Sequence, residues 1–307
     1  MPLPMTRQAV FAGLAAVSLA ALTGCSASDG TAGPAQPTPS AGATGAAGAT
    51  DPEFARLEEE FDARLGVYAL DTGTDEVVEY RADERFAYCS TFKVLAFGAV
   101  LQQTPVDELD RVITYTEDDL VNYTPITEQH VDTGMSLLEI GDAALRYSDN
   151  TAANLLLTEL GGPGGLGEAL EAIGDDVTHV DRIEPGLSEA VPGDVRDTST
   201  PRAMATSLGE FTLGDALPEE KREIIVEMML GNMTGDELIR AGVPDDWEVG
   251  DKTGSGGYGT RNDIAVLWPP EGDPIVLAVM SSREVEGAEF DNALIAEAAE
   301  AVVEALG

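Results

Sequence analysis

Segments with the pattern of β-strands lie towards the two ends of the folded part of this chain, and this distribution constrains the fold most. Near the start, residues 66–70 and 76–80 flank a turn at 71–74 and predict a hairpin. Near the end, residues 264–268 and 275–280 are apolar runs of strand length. A sheet assembled from both termini must receive the intervening chain as an insertion.

The intervening chain is predicted to be mostly helical. A capping box marks one helix start at Ser136, because Glu139 follows three residues later, and this helix is expected to reach Arg146. Other helices, within this region and at both ends of the domain, are predicted over residues 53–65, 90–102, 150–160, 218–230 and 288–306. The abundance of Pro, Gly, Asp and Thr between 181 and 201 indicates a long loop.

These elements predict an α/β protein of the α+β type. An antiparallel sheet built from both termini would carry flanking helices, and an all-helical subdomain would be inserted into it. We expect the α/β part to comprise about residues 51–87 and 231–307, and the all-α part about residues 88–230. The cleft between the two parts is the expected place for a functional site.

The first 50 residues are not expected to join this domain. The apolar run at 9–22 is too short to span a bilayer, so residues 1–24 predict an export signal. The Leu-Thr-Gly-Cys sequence that ends at Cys25 resembles the bacterial lipobox and predicts lipidation of that cysteine; a plain secretion signal is the alternative. Residues 25–50 have the composition of a flexible linker. We therefore expect an exported protein, either lipid-anchored to the cell membrane or secreted into the periplasm or medium.

Charge, cysteine and histidine content exclude several kinds of partner. A formal net charge of −39 argues against binding to nucleic acid or to an anionic membrane surface. It fits a high-salt habitat, where repulsion between acidic groups is screened, and it fits an ordinary acidic secreted protein equally well. Lipidation of Cys25 would leave Cys89 without a disulfide partner. His130 and His179 are not in ligand spacing, so we expect no metal and no cofactor.

Lysine is scarce, and two of the three lysines stand in short motifs where an amine has a chemical role. The third, Lys221, lies in a stretch of surface type. In Ser90-Thr91-Phe92-Lys93, a hydroxyl and an amine lie one helical turn apart. A buried lysine that loses its proton can activate the serine as a nucleophile, and a helix N-terminus stabilises developing negative charge. Taken alone, this motif is common, and purely structural residues are the alternative.

A second motif, Ser148-Asp149-Asn150, falls at the junction of two predicted helices. There Ser148 could relay a proton, and the Asn150 carboxamide could hold both a substrate amide and Lys93. Asp149 is expected to cap the helix that begins at Asn150. This motif would add a second hydroxyl and an amide to the site of Ser90.

The third motif, Lys252-Thr253-Gly254-Ser255, is expected at a strand edge. Its lysine, in contrast to Lys93, is expected to stay charged and to attract an anionic substrate, while its hydroxyls bind a carboxylate. Gly254 would allow a close approach of the backbone. Each motif is common by chance, but all three in this order are not, so we expect them to form one site.

With these motifs the chain resembles the class A serine β-lactamases, whose signature is S-x-x-K, S-D-N and K-T-G. The resemblance extends from about Glu53 to Leu306 and includes the segments 85–89, 121–123, 181–185 and 192–198. It implies that residues 51–307 form a catalytic domain that hydrolyses β-lactam antibiotics, confers resistance to them and acts as a monomer.

The resemblance also implies a two-stage reaction. Ser90 attacks the β-lactam carbonyl, and its proton passes either to Lys93 or through a water to Glu184, an alternative that stays open. Ser148, polarised by Lys252, delivers a proton to the departing ring nitrogen. Glu184 then activates the water that releases the acyl-enzyme.

The remaining site residues follow from the same resemblance. Backbone N–H groups of Ser90 and Ser255 would hold the oxyanion. An ion pair between Arg182 and Asp197 is expected to close the neck of the long loop and to steady Glu184. Substrate contacts are expected from Tyr123, Asn150, Ser188, Lys252, Thr253, Gly254, Ser255 and Arg261.

One position departs from the family pattern. Ser188 stands where an asparagine commonly helps to hold the deacylating water, which puts the rate of turnover in question. Two other functions are alternatives: a peptidase acting on cell-wall peptides, which would lack Glu184, and a β-lactam sensor or trap that is acylated only once. Substrate breadth is open, because Arg261 favours penicillins and earlier cephalosporins whereas residues 255–259 resemble members that act on oxyimino-cephalosporins.

Overall fold

The computed structural model describes residues 50–306. The predicted export signal, Cys25 and the linker up to residue 49 lie outside the described residues. Among the helices of residues 50–306, none has the length and apolar character needed to cross a membrane.

An antiparallel sheet of five strands forms the centre of the fold. In chain order the strands are β1 (Arg64–Asp71), β2 (Val77–Tyr80), β3 (Phe86–Ala87), β4 (Val112–Ile113), β5 (Met135–Ser136), β6 (Thr198–Ser199), β7 (Glu248–Ser255), β8 (Arg261–Trp268) and β9 (Ile275–Ser282). The central sheet has the order β2-β1-β9-β8-β7, and β3–β6 and β4–β5 form two short separate ladders. β1 pairs with β9 along its whole length, from Arg64 opposite Ser282 to Asp71 opposite Ile275. The two ends of the domain therefore build one sheet, which confirms the predicted fold class.

Helices cover this sheet. They are α1 (Asp51–Phe61), α2 (Phe92–Gln103), α3 (Leu137–Arg146), α4 (Asn150–Glu159), α5 (Pro163–Ala172), α6 (Pro201–Thr212), α7 (Glu219–Leu230) and α8 (Asn292–Leu306). Short 3-10 turns occur at Cys89–Thr91, Val106–Glu108, Glu117–Asp119, Thr127–Gln129, Gly186–Glu189 and Ile239–Gly242. In α2 every residue from Phe92 to Leu101 is buried, so this helix lies at the centre of the helical part.

The alternation of side chains along the strands divides the interior into two cores. On β8, Ile264 and Val266 pack in the same core as the buried residues of α2 to α7. Ala265 and Leu267 point to the opposite face and pack with the buried residues of α1 and α8. The helices inserted between β2 and β7 therefore share one face of the sheet.

Several predicted boundaries are wrong. The helix predicted over 53–65 ends at Phe61, because Asp62 is left-handed (φ 46°) and Leu65 already belongs to β1. The helix predicted from residue 90 begins at Phe92 after a 3-10 turn, and the last helix begins at Asn292. Apolar spacing alone did not distinguish the end of α1 from the start of β1, since a buried apolar residue such as Leu65 suits either element.

Two helices were not predicted at all. α5 contains Gly164, Gly165 and Gly167, residues that weaken a helical pattern in a sequence. α6 begins at Pro201, at the end of the stretch predicted as a loop, and its N-cap Thr200 accepts a hydrogen bond from the Ala203 N–H. Both helices are stabilised by burial of one face in the larger core.

Candidate active site

The groups predicted from the three motifs converge on one cleft of about 650 Å³. Its walls come from the C-terminal end of β7, the Cys89–Thr91 turn, the junction of α3 and α4, and the Gly186–Glu189 turn. Lys93 and Lys252 are fully buried behind these walls. The predicted residues that line the cleft are Ser90, Tyr123, Ser148, Asn150, Glu184, Ser188, Thr253, Gly254, Ser255 and Arg261.

Ser90 lies in the 3-10 turn that leads into α2, with Lys93 in the next turn. Ser90 is 9% exposed, so it faces the cleft but is largely shielded from bulk water. Lys93 Nζ donates to Asn150 Oδ1 at 2.6 Å and to the Ser148 backbone oxygen at 2.7 Å. Burial lowers the pKa of Lys93 to about 8, although nearby carboxylates, Glu184 first, oppose the shift. This amine can release its proton near neutral pH, as a base for Ser90 must.

Ser148 holds its hydroxyl between the two lysines. Lys252 Nζ donates to Ser148 Oγ at 3.1 Å, and Lys93 Nζ lies 3.4 Å from the same oxygen. The Ser148 backbone has a φ of 57°, a strained conformation for a residue with a Cβ. Asp149 caps α4 by accepting from the Ala152 N–H at 2.9 Å, which confirms its predicted capping role. Ser148 is thus positioned to pass a proton from a lysine to a group in the cleft.

Lys252, which is expected to stay charged, is buried as deeply as Lys93. It is fully buried, and its Nζ also donates to the Thr253 backbone oxygen at 3.0 Å. Burial first, and then the neighbouring Lys93, lower the pKa of Lys252 to about 7, against the attraction of Asp251 and Asp263. The expected contrast between a Lys93 that sheds its proton and a charged Lys252 stays a prediction, since burial lowers the pKa of both amines. A carboxylate bound in the cleft would favour the charged form of Lys252 again.

Gly254 brings β7 into contact with the turn that carries Ser90. A Cβ on Gly254 would lie 2.8 Å from the Tyr88 backbone oxygen and 3.1 Å from Thr91 Cγ2. Any larger residue would push the strand away, which confirms the predicted close approach of the backbone at this edge strand. The contact is what allows Ser90 and Ser255 to line one cleft.

A chain of hydrogen bonds behind Thr253 was not predicted from the sequence. Thr253 Oγ1 lies 2.6 Å from Thr234 Oγ1, and the Thr234 hydroxyl donates to Asn232 Oδ1 at 2.9 Å. Asn232 Nδ2 in turn donates to Asp251 Oδ2, and Arg240 Nε donates to Asp251 Oδ1 at 2.6 Å. Thr253 belongs to the third motif and Asp251 directly precedes it, but no local signal in the sequence marks the other members. The chain orients the Thr253 hydroxyl that is expected to meet a substrate carboxylate.

Glu184 is buried in the cleft, and one of its carboxylate oxygens has no partner among residues 50–306. Its Oε1 accepts from Ser188 Oγ at 2.9 Å, whereas the buried Oε2 has no hydrogen-bond partner within residues 50–306. Asn154, which was not predicted, holds the Glu184 backbone, since its Oδ1 accepts from the N–H and its Nδ2 donates to the carbonyl, both at 2.9 Å. Burial raises the pKa of the Glu184 carboxyl, and Lys93 and then Ser188 oppose the rise. A fixed carboxylate with a free oxygen and a raised pKa is suited to remove a proton from water.

Ser188 connects Glu184 with the end of β7. Its hydroxyl donates to the Glu184 carboxylate, and its backbone oxygen accepts from the Gly257 N–H at 3.1 Å. The serine that departs from the family pattern therefore contacts the carboxylate that is expected to act as the hydrolytic base.

The neck of the loop that carries Glu184 is closed by Arg182 and Asp197, the pair predicted from the sequence. Arg182 Nε donates to Asp197 Oδ2 at 2.5 Å. Asp197 is fully buried, and its Oδ1 accepts from the backbone N–H groups of Asp181 at 2.9 Å and Arg182 at 3.0 Å. Arg182 also pairs with Glu189 at 2.6 Å. The influence of this pair on catalysis stays a prediction.

Arg261 supplies a guanidinium beside Ser255, its partner in the β7–β8 pair. Its Nε donates to Asn292 Oδ1 at 2.9 Å, and its guanidinium carbon lies 4.7 Å from the centre of the Phe290 ring. Neither Asn292 nor Phe290 was predicted, because both lie 29 or more residues further along the chain. Tyr123 is 60% exposed and adds an aromatic surface to the cleft.

Comparison with known proteins assigns this site to a family. The family model described as the β-lactamase enzyme family matches residues 50–306. A β-lactamase of Bacillus amyloliquefaciens is 60% identical over 257 residues, which are 84% of each chain. The chain belongs to the class A β-lactamase family. The crystal structure of a class A β-lactamase from Clostridium kluyveri agrees with a TM-score of 0.83 at 49% identity, covering 84% of this chain and 98% of that one. A halotolerant bacterial β-lactamase agrees with a TM-score of 0.82 at 58% identity, covering 83% and 99%.

The family match spans the part of the chain that forms the class A β-lactamase cleft. Every predicted site residue except Cys25 lies within the matched residues 50–306. The S-x-x-K, S-D-N and K-T-G motifs and the loop glutamate therefore occur together both in sequence and in space. Ser188 departs from the asparagine that is common at this position in the family.

Proposed function

We propose that this protein hydrolyses the β-lactam ring of penicillins and cephalosporins through an acyl-enzyme on Ser90, and thereby confers β-lactam resistance. The observation that carries the proposal is the buried Glu184 carboxylate, which lines the same cleft as Ser90 and has Oε2 unpaired among the described residues. A protein that is acylated only once needs no such base, whereas an enzyme that must release its acyl group needs a base to activate water.

In the first stage, Ser90 Oγ forms a bond to the ring carbonyl carbon, and the ring C–N bond breaks. The Ser90 proton passes to neutral Lys93, whose pKa of about 8 leaves part of the amine unprotonated, or through a water to Glu184. Ser148 donates its proton to the leaving nitrogen and regains one from a lysine, since both Nζ atoms lie within 3.4 Å. The oxyanion accepts hydrogen bonds from the Ser90 and Ser255 N–H groups.

In the second stage, Glu184 removes a proton from water, and the resulting hydroxide attacks the acyl carbon. The bond from that carbon to Ser90 Oγ breaks, and the proton returns to the serine. The sum of both stages is the addition of one water across the amide bond. Because Asn154 fixes the Glu184 backbone on both sides, the carboxylate needs little rearrangement during this stage.

The substrate carboxylate is expected to bind Thr253, Ser255 and Arg261, which line the cleft. Buried Lys252 contributes positive charge behind them. These few cations must attract an anion into a protein with a net charge of −39, so short-range contacts have to outweigh the long-range repulsion.

Ser188 favours a second candidate function, a β-lactam trap with slow release. Its hydroxyl occupies Glu184 Oε1 at 2.9 Å, and it is shorter than the asparagine common in the family. If it left the water poorly held, acylation would be normal and deacylation slow. A cell-wall peptidase is the less favoured alternative, because it would have no use for Glu184.

A chromogenic cephalosporin distinguishes these functions. A hydrolase would turn over many equivalents of the cephalosporin, whereas a trap would release one equivalent of product. A peptidase would show neither result and would instead release D-Ala from D-Ala-D-Ala peptides. In the hydrolase, Glu184→Gln is expected to accumulate an acyl-enzyme visible by mass spectrometry, whereas Glu168→Gln, at an exposed position of α5, should turn over normally. Normal turnover by Glu184→Gln would remove the proposed base.

Export and anchoring are proposed from the sequence outside the catalytic domain at 51–307. Residues 1–24 would direct export, Cys25 would carry the lipid, and residues 25–50 would tether a monomeric enzyme to the membrane; secretion without a lipid is the alternative. Incorporation of labelled palmitate that Cys25→Ala abolishes would support the anchor. Full release of the wild-type protein into the soluble fraction would contradict it, and sedimentation of the purified domain tests the monomer.

A further inference from the structure

A second concave site lies between α3 and α7, and it shares no lining residue with the β-lactam cleft. It encloses about 460 Å³. α3 contributes Leu138, Asp142 and Arg146, which are spaced four residues apart and therefore share one face of the helix. α7 contributes Ile224, Glu227 and Met228 from the other side. We call this site the α3–α7 pocket.

The floor of the α3–α7 pocket is apolar and adaptable. Met135 and Met228 are buried there, and Ile126, Leu138 and Ile224 are half-buried around them. Methionine side chains repack easily around apolar groups, so the floor can adjust to a ligand. The volume falls in the range of small-molecule sites, which combine an apolar lining with a few polar groups.

The rim of the pocket is negative. Three carboxylates, Glu139, Asp142 and Glu227, stand against one guanidinium, that of Arg146. Asp142 pairs with Arg146 at 3.4 Å, and Glu139 Oε2 accepts from the Ser136 N–H at 2.7 Å. Glu227 is exposed and forms no salt bridge within residues 50–306. Glu227 is therefore the carboxylate that remains available to a ligand.

We propose that the α3–α7 pocket binds small primary amines with an aromatic or alkyl body. The apolar body would enter the methionine floor, and the ammonium would pair with Glu227 at the rim. The net charge of −39 favours a cation over an anion of the same shape. This ligand class differs from β-lactams, which carry a carboxylate and react at Ser90, so the pocket is independent of the proposed hydrolysis.

Binding is tested by titrating the isotope-labelled protein with 4-phenylbutylamine and following amide shifts by NMR. The titration is run at pH 8, and His130 is the remaining titratable lining group. Saturable shifts are expected at Leu138, Asp142, Ile224 and Met228, with a Kd on the order of 1 mM for a ligand of this size. The anion 4-phenylbutanoate, which has the same body, should bind at least about 3-fold more weakly.

A matched pair of variants tests the role of the rim carboxylate. Glu227→Gln is expected to weaken amine binding by about 2- to 5-fold. Glu223→Gln removes an exposed carboxylate from the same helix that does not line the pocket, and it should leave binding unchanged. Ile224→Lys should abolish amine binding. If its melting curve shows that this variant does not fold, the comparison of Glu227→Gln with Glu223→Gln tests the proposal without it.

Four results would overturn the proposal. They are the absence of saturable shifts at the pocket amides up to about 10 mM amine, shifts confined to the β-lactam cleft, equal affinity for the amine and the anion, and equal effects of the two glutamate variants. None of them bears on β-lactam hydrolysis, because the pocket and the cleft share no lining residue.

Discussion

Replacing Asp197 with asparagine tests how the loop that carries Glu184 is held. Asp197 is fully buried and accepts from Arg182 Nε at 2.5 Å and from the N–H groups of Asp181 and Arg182 at 2.9 and 3.0 Å. An asparagine can keep the two backbone hydrogen bonds through its oxygen. Its amide N–H group, however, would face the Arg182 guanidinium, and the compensating charge would be lost.

The magnitude follows from the burial of the two partners. Removing one partner of a fully buried ion pair costs about 3–5 kcal/mol. Arg182 is 18% exposed and keeps its second partner Glu189, so we expect a lower cost of about 2–3 kcal/mol. For a domain of this size, 1 kcal/mol shifts the Tm by about 2–4 °C, so Asp197→Asn should lower the Tm by about 4–12 °C.

The kinetic effect should be larger on release of the acyl group than on its formation. Glu184 lies two residues after Arg182, whereas Asp197 contacts the segment before Ser90 through longer hydrogen bonds of 3.4 Å, from the hydroxyl and the N–H of Tyr88. A displacement of about 1 Å can cost on the order of 10²-fold in rate, so we expect deacylation to slow by up to about that factor. Stopped-flow kinetics with a chromogenic cephalosporin measure both steps, and calorimetry measures the Tm.

Asp194→Asn is the control for this experiment. Asp194 pairs with the exposed Arg196 in the same loop, and exposed pairs contribute little to stability. This variant should keep the wild-type Tm and turnover. A wild-type Tm and turnover in Asp197→Asn as well, or equal slowing of acylation and deacylation, would contradict the proposed role of the Arg182–Asp197 pair.

Further predictions concern the two lysines, the hydrolytic base and the surface. Lys93→Arg should abolish acylation because a guanidinium cannot shed its proton, whereas Lys252→Arg should keep part of the activity; equal losses of burst amplitude would contradict these assignments. Burial raises the pKa of Glu184 above its ordinary 4.5, and the base must be ionised to act. The rate of deacylation should therefore fall as the pH drops through this raised value. A pH profile with no acid limb above 4.5 would show that the carboxyl is not perturbed. Ser188→Ala removes a hydrogen bond that opposes this shift, so the acid limb should move to higher pH, and an unchanged limb would count against the contact. Ser188→Asn should shorten the acyl-enzyme lifetime with a slowly hydrolysed substrate, as followed by mass spectrometry, if the family asparagine holds the water better. The Tm should rise between low salt and about 2 M NaCl, since salt screens repulsion among the acidic groups, and a flat or falling Tm would argue against adaptation to salt.

Local signals in the sequence predicted those features that depend on neighbouring residues. The capping box at Ser136 is present, with the Glu139 N–H donating to Ser136 Oγ and the Ser136 N–H donating to Glu139. Asp149 caps α4 in the same way. The segments of β1, β2, β8 and β9 were located because period-two and apolar patterns are also local, whereas the extent of β7 was not predicted. Boundaries were less accurate: whether Leu65 ends a helix or starts a strand depends on its pairing with Ser281, 216 residues away.

The sequence by itself determined the chemical groups of this protein: a serine and a lysine one turn apart, a second serine, a second lysine, and a loop glutamate in family order. Only the tertiary structure decided their states. It placed both lysines out of water against Ser148, so that the pKa of Lys252 is lowered as well as that of Lys93. It also left Glu184 Oε2 buried and unpaired among the described residues while Ser188 took Oε1. The physical reason is that proton affinity depends on burial and on charges within a few ångströms, and residues far apart in the chain supply both.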